Sequence, residues 1–257
     1  MDCLDGNFGL YAFFLGGSLL SDTRIRGHGG VDYFASIGDD RLPDDSDAFL
    51  IEVGRALDEC FPGEGVTVKA PAIIVPIGSN DGGVVRIVPA KLAGQTSTGH
   101  RLYAVADGMG GWMTSSPDAH SDYIASVDLN LDGKLRPLIC LLKAWKYFRD
   151  VPVSSFYLEL RCAAHADGEK MIVYTVDLRN VLDLLWDDQF ADVQDPKGIS
   201  GHVSARLTYA GKKAAISKLR TALYHTSRAQ EAAAEGRVEE SFLYWNRVFN
   251  GYFPPYG

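Results

Sequence analysis

The chain has 257 residues, 46% hydrophobic and 23% charged, with a formal net charge of -8. That balance, with a mean hydropathy near zero, belongs to an ordinary globular protein and excludes a disordered or fibrous one. The acidic excess argues against a protein whose main task is to coat DNA or RNA, since that affinity comes mostly from Lys and Arg on phosphates. It leaves room for a small, locally basic nucleotide pocket, and no sequence-specific DNA binding is expected.

Residues 10–15 are apolar and aromatic and run into Gly16, Gly17 and Ser18, which reads as a buried helix or strand entering a tight turn. After a loop rich in Gly and Arg, Val31, Tyr33 and Phe34 favour a strand over 31–37. Phe49, Leu50, Val53, Leu57 and Cys60 fall at helical spacing, so a helix is expected over 47–60 with Ser46 as its N-cap. Short strands are expected at 66–68, 72–76 and 84–88, each bounded by Gly or Pro. Beyond Trp112 the spacing turns helical, at 119–129, 135–149, 154–164, 171–185, 212–234 and 238–249, although residues 172–176 also favour a strand. This is an α+β pattern. It divides into 1–112 and a mostly helical 113–257, and in the absence of any linker or repeat the halves are expected to pack about a shared nucleotide cleft.

The four cysteines, Cys3, Cys60, Cys140 and Cys162, are widely spaced, with no CxxC pair and no Cys/His cluster, and are read as reduced and structural. The apolar run at 8–17 is too short to span a bilayer and follows Asp2 and Asp5 rather than basic residues. No membrane partner is expected, and the chain reads as cytoplasmic.

The chemistry concentrates in Gly17-Ser18 and in the strand that follows. Positions 30 and 32 lie twelve and fourteen residues after the serine and share one face of an extended chain. A polymerase-type enzyme uses this geometry to hold two carboxylates on paired Mg²⁺ ions while the Gly-Ser turn holds a triphosphate. The run from Gly17 to Ile37 resembles the signature of the cGAS-like and DncV-like nucleotidyltransferases (CD-NTases), which make cyclic di- and trinucleotides in bacterial antiphage defence. The similarity continues through Val88-Pro89-Ala90, Pro117 and His120, Leu142-Lys143-Ala144-Trp145, Ser154-Ser155-Phe156, Asp195-Pro196, Trp245 and Phe249, and so spans nearly the whole chain.

The resemblance implies a nucleotidyltransferase fold of the polymerase-beta type, a mixed sheet followed by a helical half. It implies triphosphate contacts from Gly17, Ser18 and Lys143 and nucleotide contacts from Ser154 and Ser155. The implied partners are nucleoside triphosphates or cyclic nucleotides, with a homologous or effector protein as a further partner. It also implies three metal-binding acids, of which only Asp32 is present: the first position reads Gly30 and the third Arg86. Sixteen residues precede Gly17, fewer than the long N-terminal helix of the family needs, so the chain looks truncated or minimised there.

Two Mg²⁺ ions need several anionic oxygens each. A guanidinium about 4 Å from a dication costs roughly 8 kcal/mol at an effective dielectric of about 20, enough to empty a metal site. The same Arg86 could instead hold a nucleotide phosphate. The leading expectation is therefore a family member with impaired catalysis that acts by nucleotide or partner binding. The alternative is an active transferase using Mg²⁺ at Asp32, with Asp81 recruited as a second acid.

Overall fold

A computed structural model describes residues 2–38, 43–77 and 83–257. The described chain forms two compact units, Met1–Tyr123 and Ile124–Gly257, with the boundary inside the helix Pro117–Asn130.

The first unit is built on a mixed seven-stranded sheet. Its strands are β1 (Leu10–Gly16), β2 (Val31–Ile37), β3 (Thr67–Lys69), β4 (Ala72–Ile77), β5 (Gly83–Gln95), β6 (Arg101–Ala106) and β7 (Trp112–Ser115). The order is β1-β2-β5-β4-β3, with β6 added to β5 and β7 to β6. β2 and β5 run parallel, whereas β1 and β2 are antiparallel. The helices of this unit are α1 (Asp2–Phe8), α2 (Gly17–Leu20) and α3 (Ser46–Cys60), and α4 (Pro117–Asn130) begins in it.

Strand alternation sorts the side chains onto two faces. On one, Ala35, Ile37, Ile73 and Ile87 pack with Phe49, Leu50, Val53 and Leu57 of α3 and with Leu4 and Phe8 of α1. On the other, Phe34, Val88, Ala90, Tyr103 and Val105 form a second apolar cluster. Asp32 and Arg86 belong to this second face, two residues before Phe34 and Val88 on their strands.

Two expectations are corrected here. The cap of α3 is Asp45, whose carboxylate accepts from the Asp47 and Ala48 amides at 2.9 and 3.0 Å; the Ser46 hydroxyl instead donates to the Gly111 carbonyl. Cys3 and Cys60 are joined in a disulfide, 57 residues apart, because α1 lies against α3, with Phe8 edge-on to Phe49. Cys140 and Cys162 are not in a disulfide, and burial pushes the Cys162 thiol pKa well up, so that it stays protonated and inert.

The second unit is helical: the rest of α4, then α5 (Leu135–Phe148), α6 (Ser155–Asp167), α7 (Tyr174–Asp187), α8 (Tyr209–Ala234) and α9 (Val238–Val248), with a small hairpin of β8 (Val193–Gln194) and β9 (His202–Val203). Residues 171–173 precede α7 and do not form a strand. Among the described residues, no helix is long and apolar enough to cross a membrane.

Candidate functional site

The site in the first unit grows from a glycine elbow between β1 and α2. Gly17 has φ +60°, a left-handed conformation, and a Cβ there would lie 2.2 Å from Asp32 Oδ2. Residue 17 must therefore be glycine, and the elbow rests directly on the Asp32 carboxylate. Gly16 is register-paired with Asp32 across β1 and β2. Ser18 follows on α2, where its carbonyl accepts from the amide of the fully buried Thr23 at 2.9 Å.

Asp32 is in turn register-paired with Arg86 across the parallel β2–β5 ladder. Arg86 Nε donates to Asp32 Oδ1 at 2.6 Å, and a terminal guanidinium nitrogen lies 2.5 Å from the same oxygen. The acid is buried, with 8% of its side chain exposed, while the guanidinium is 42% exposed. The pair therefore has an inner, neutralised end and an outer cationic edge.

Gly30 lies one residue before β2 and is buried. A Cβ at this position would stand 2.5 Å from the Val84 carbonyl oxygen and 3.2 Å from Arg86 Cγ. Beyond lacking an acid, position 30 has no room for a side chain while the β5 backbone stays where it is. The donor set does not fit a two-metal centre: one carboxylate, already engaged by a guanidinium, stands where several anionic oxygens are needed. Asp81 lies outside the described residues.

No family model matches the chain. In sequence it is similar to a cyclic AMP-AMP-AMP synthase of an Acinetobacter species, 24% identical over a 259-residue alignment that covers 94% of this chain and 72% of the relative. In structure it is similar to Escherichia coli CdnC with ATP, at a TM-score of 0.71 and 20% identity over 98% of this chain and 87% of that one. The fold is that of the CD-NTases. CdnC is also solved in a complex with a HORMA protein, where it overlays at a TM-score of 0.70 with 20% identity over 98% of this chain and 88% of that one. Vibrio cholerae DncV, a cyclic AMP-GMP synthase solved with a linear intermediate, matches at a TM-score of 0.68 and 15% identity over 95% of this chain and 70% of that one.

The CD-NTase landmarks of the second unit fall at the α5–α6 junction. Ser154 caps α6, its hydroxyl accepting from the Tyr157 amide at 3.4 Å. The Ser155 hydroxyl accepts from Lys146 Nζ at 2.7 Å and lies 3.1 Å from the Tyr147 hydroxyl. Lys143, which the resemblance implies as a triphosphate contact, is 1% exposed and pairs with Glu159 at 2.5 Å. Sequence reading missed Lys146, the partly exposed lysine of the same helix; its signal is its place one turn beyond Lys143, facing the loop that leads into α6.

Gly17, Ser18, Asp32 and Arg86 are thus assembled in the first unit, and Lys146 with Ser155 in the second. His120 is buried on α4. Arg101 stacks over Phe14 and reaches Asp118 at 3.8 Å, while Arg24 and Arg26 are exposed.

Proposed function

We propose that this protein is a nucleotide-binding member of the cyclic-oligonucleotide synthase family whose metal-dependent catalysis is lost, and that it acts in antiphage defence by binding nucleotide or a partner protein. The observation that carries the reading is the Asp32–Arg86 ion pair beside a Gly30 that cannot take a side chain. Together they replace three converging acids by a neutral pair with a cationic rim.

In this reading the Gly17–Ser18 elbow and the outer edge of Arg86 offer donors to a triphosphate, as do Lys146 and Ser155 of the second unit. Such contacts bind and orient phosphate but do not activate a ribose hydroxyl. The HORMA complex of the CdnC relative supports a partner-protein role for this chain.

A second reading is favoured by the activity named for the Acinetobacter relative: an active synthase of cyclic or linear oligonucleotides that recruits another acid, such as Asp81. One experiment separates the two. Incubation with labelled nucleoside triphosphates and Mg²⁺ or Mn²⁺ gives no product above the Asp32→Ala background, while the same nucleotides raise the melting temperature of the wild type. Product that forms in the wild type and vanishes in Asp32→Ala overturns the proposal.

A further inference from the structure

We infer that the second unit carries a phosphoryl-anion site of its own, where α5, α8 and the segment after α9 meet, taking free phosphate or the phosphate end of a mononucleotide. A cavity of about 290 Å³ is lined there by Phe148, Arg149, Asp150, Lys218, Thr221 and Asn250. This is the small end of the range for ligand pockets, suited to a phosphate or a compact phosphate ester. None of the residues placed at the α5–α6 junction, Lys143, Lys146, Ser154 or Ser155, lines it.

The lining donors are held from behind by main-chain carbonyls. Arg149 Nε donates to the Val248 carbonyl at 3.2 Å, Lys218 Nζ to the Asp150 carbonyl at 2.7 Å, and Asn250 Nδ2 to the Phe148 carbonyl at 3.0 Å. Carbonyls orient these groups without cancelling their charge. Among the described residues, no carboxylate lies within 4 Å of a charged nitrogen of Arg149 or Lys218. Two oriented cations with the Asn250 amide beside them form a donor set for a tetrahedral oxyanion; the Thr221 hydroxyl donates to the Ser217 carbonyl at 3.1 Å and only lines the wall.

His225, close by, is held below its ordinary pKa by burial first and then by the positive charges of Arg247 and Arg149. His225 Nδ1 is buried without a hydrogen-bond partner. Phe148 stacks on Tyr252 at 4.3 Å, which gives the cavity an aromatic wall. The lining also includes one acid, Asp150, which opposes an anion. It sits at φ +49°, a conformation that asparagine tolerates well, so Asp150→Asn removes the charge without disturbing the backbone.

The test is titration calorimetry and thermal shift on the full chain with inorganic phosphate, pyrophosphate and AMP, at constant ionic strength against chloride. Wild type binds, Lys218→Met and Arg149→Gln each bind roughly tenfold or more weakly, as expected for loss of one charge-assisted contact, and Asp150→Asn binds more tightly. AMP binding tighter than phosphate identifies a nucleotide as the ligand; equal binding identifies the free anion. Absence of binding above the chloride control overturns the inference, as does binding lost in Lys146→Met but unchanged in Lys218→Met. The partly exposed Lys218 gives a readout even if Arg149→Gln fails to fold. Binding at the Asp32 centre is told apart because it persists in Lys218→Met and Arg149→Gln, and binding unchanged in both variants overturns the inference.

Discussion

Asp32 and Arg86 are register partners on adjacent parallel strands, and the guanidinium of one is bonded to a single carboxylate oxygen of the other. The arginine therefore occupies the space next to the remaining acid rather than waiting for a ligand. Restoring the acids by Gly30→Asp with Arg86→Asp is expected to leave product formation at background, because the residue 30 side chain meets the Val84 carbonyl at 2.5 Å. Gly30→Ala alone should destabilise the fold by about 1–3 kcal/mol, the usual cost of overpacking, measured by urea unfolding.

Lys143 and Glu159 form a buried ion pair, and removing one partner strands a charge in the core. Lys143→Met is expected to lower unfolding free energy by about 3–5 kcal/mol, with most of it recovered in Lys143→Met/Glu159→Leu. Denaturant titration of the single and double variants checks this. A lysine whose first role was to hold triphosphate would show the opposite pattern, losing nucleotide affinity at little cost in stability.

The Cys3–Cys60 disulfide closes a loop with a sequence separation of 57 residues that contains Gly17, Ser18 and Asp32. The chain-entropy relation gives it roughly 4 kcal/mol of stabilisation. Melting with and without reductant should show a large drop on reduction, and Cys60→Ser should melt like the reduced protein under both conditions.

His225 links stability to acidity. Burial, reinforced by Arg247 and Arg149, holds its folded pKa below the ordinary value of 6.5. The unfolded chain therefore takes up the proton first as pH falls. The contribution of the neutral imidazole is fully present above about pH 6.5 and is lost as pH falls from there through the folded value. Unfolding free energies measured across this range should fall more steeply for wild type than for His225→Leu.

Much of the scaffold could be read from residues. The strand over 31–37 and the helix starting at Leu135 are found where β-branched, aromatic and apolar spacing put them. Strands β6 and β7 were not anticipated: β7 has only four residues, and the chain between them turns through Gly108, Gly110 and Gly111. Asp45 and Ser46 are both competent caps, and the choice depends on a carbonyl 65 residues away at Gly111, which claims the serine hydroxyl. The cysteine pairing likewise depends on α1 meeting α3, a tertiary event invisible to spacing. At the site, the resemblance marks Gly30 and Arg86 as positions where acids are expected. The sequence does not show that Arg86 is bonded to Asp32, or that Lys143 turns inward to Glu159.

The Val84 carbonyl beside Gly30 limits what position 30 can become. An acid introduced first at position 30 collides with main chain, and one introduced first at position 86 removes the Arg86 guanidinium and places a second carboxylate opposite a buried one. Each single step costs stability before any activity could reward it. Under the proposed loss of catalysis the site behaves as a ratchet, because the start of β5 must move before position 30 can accept an acid.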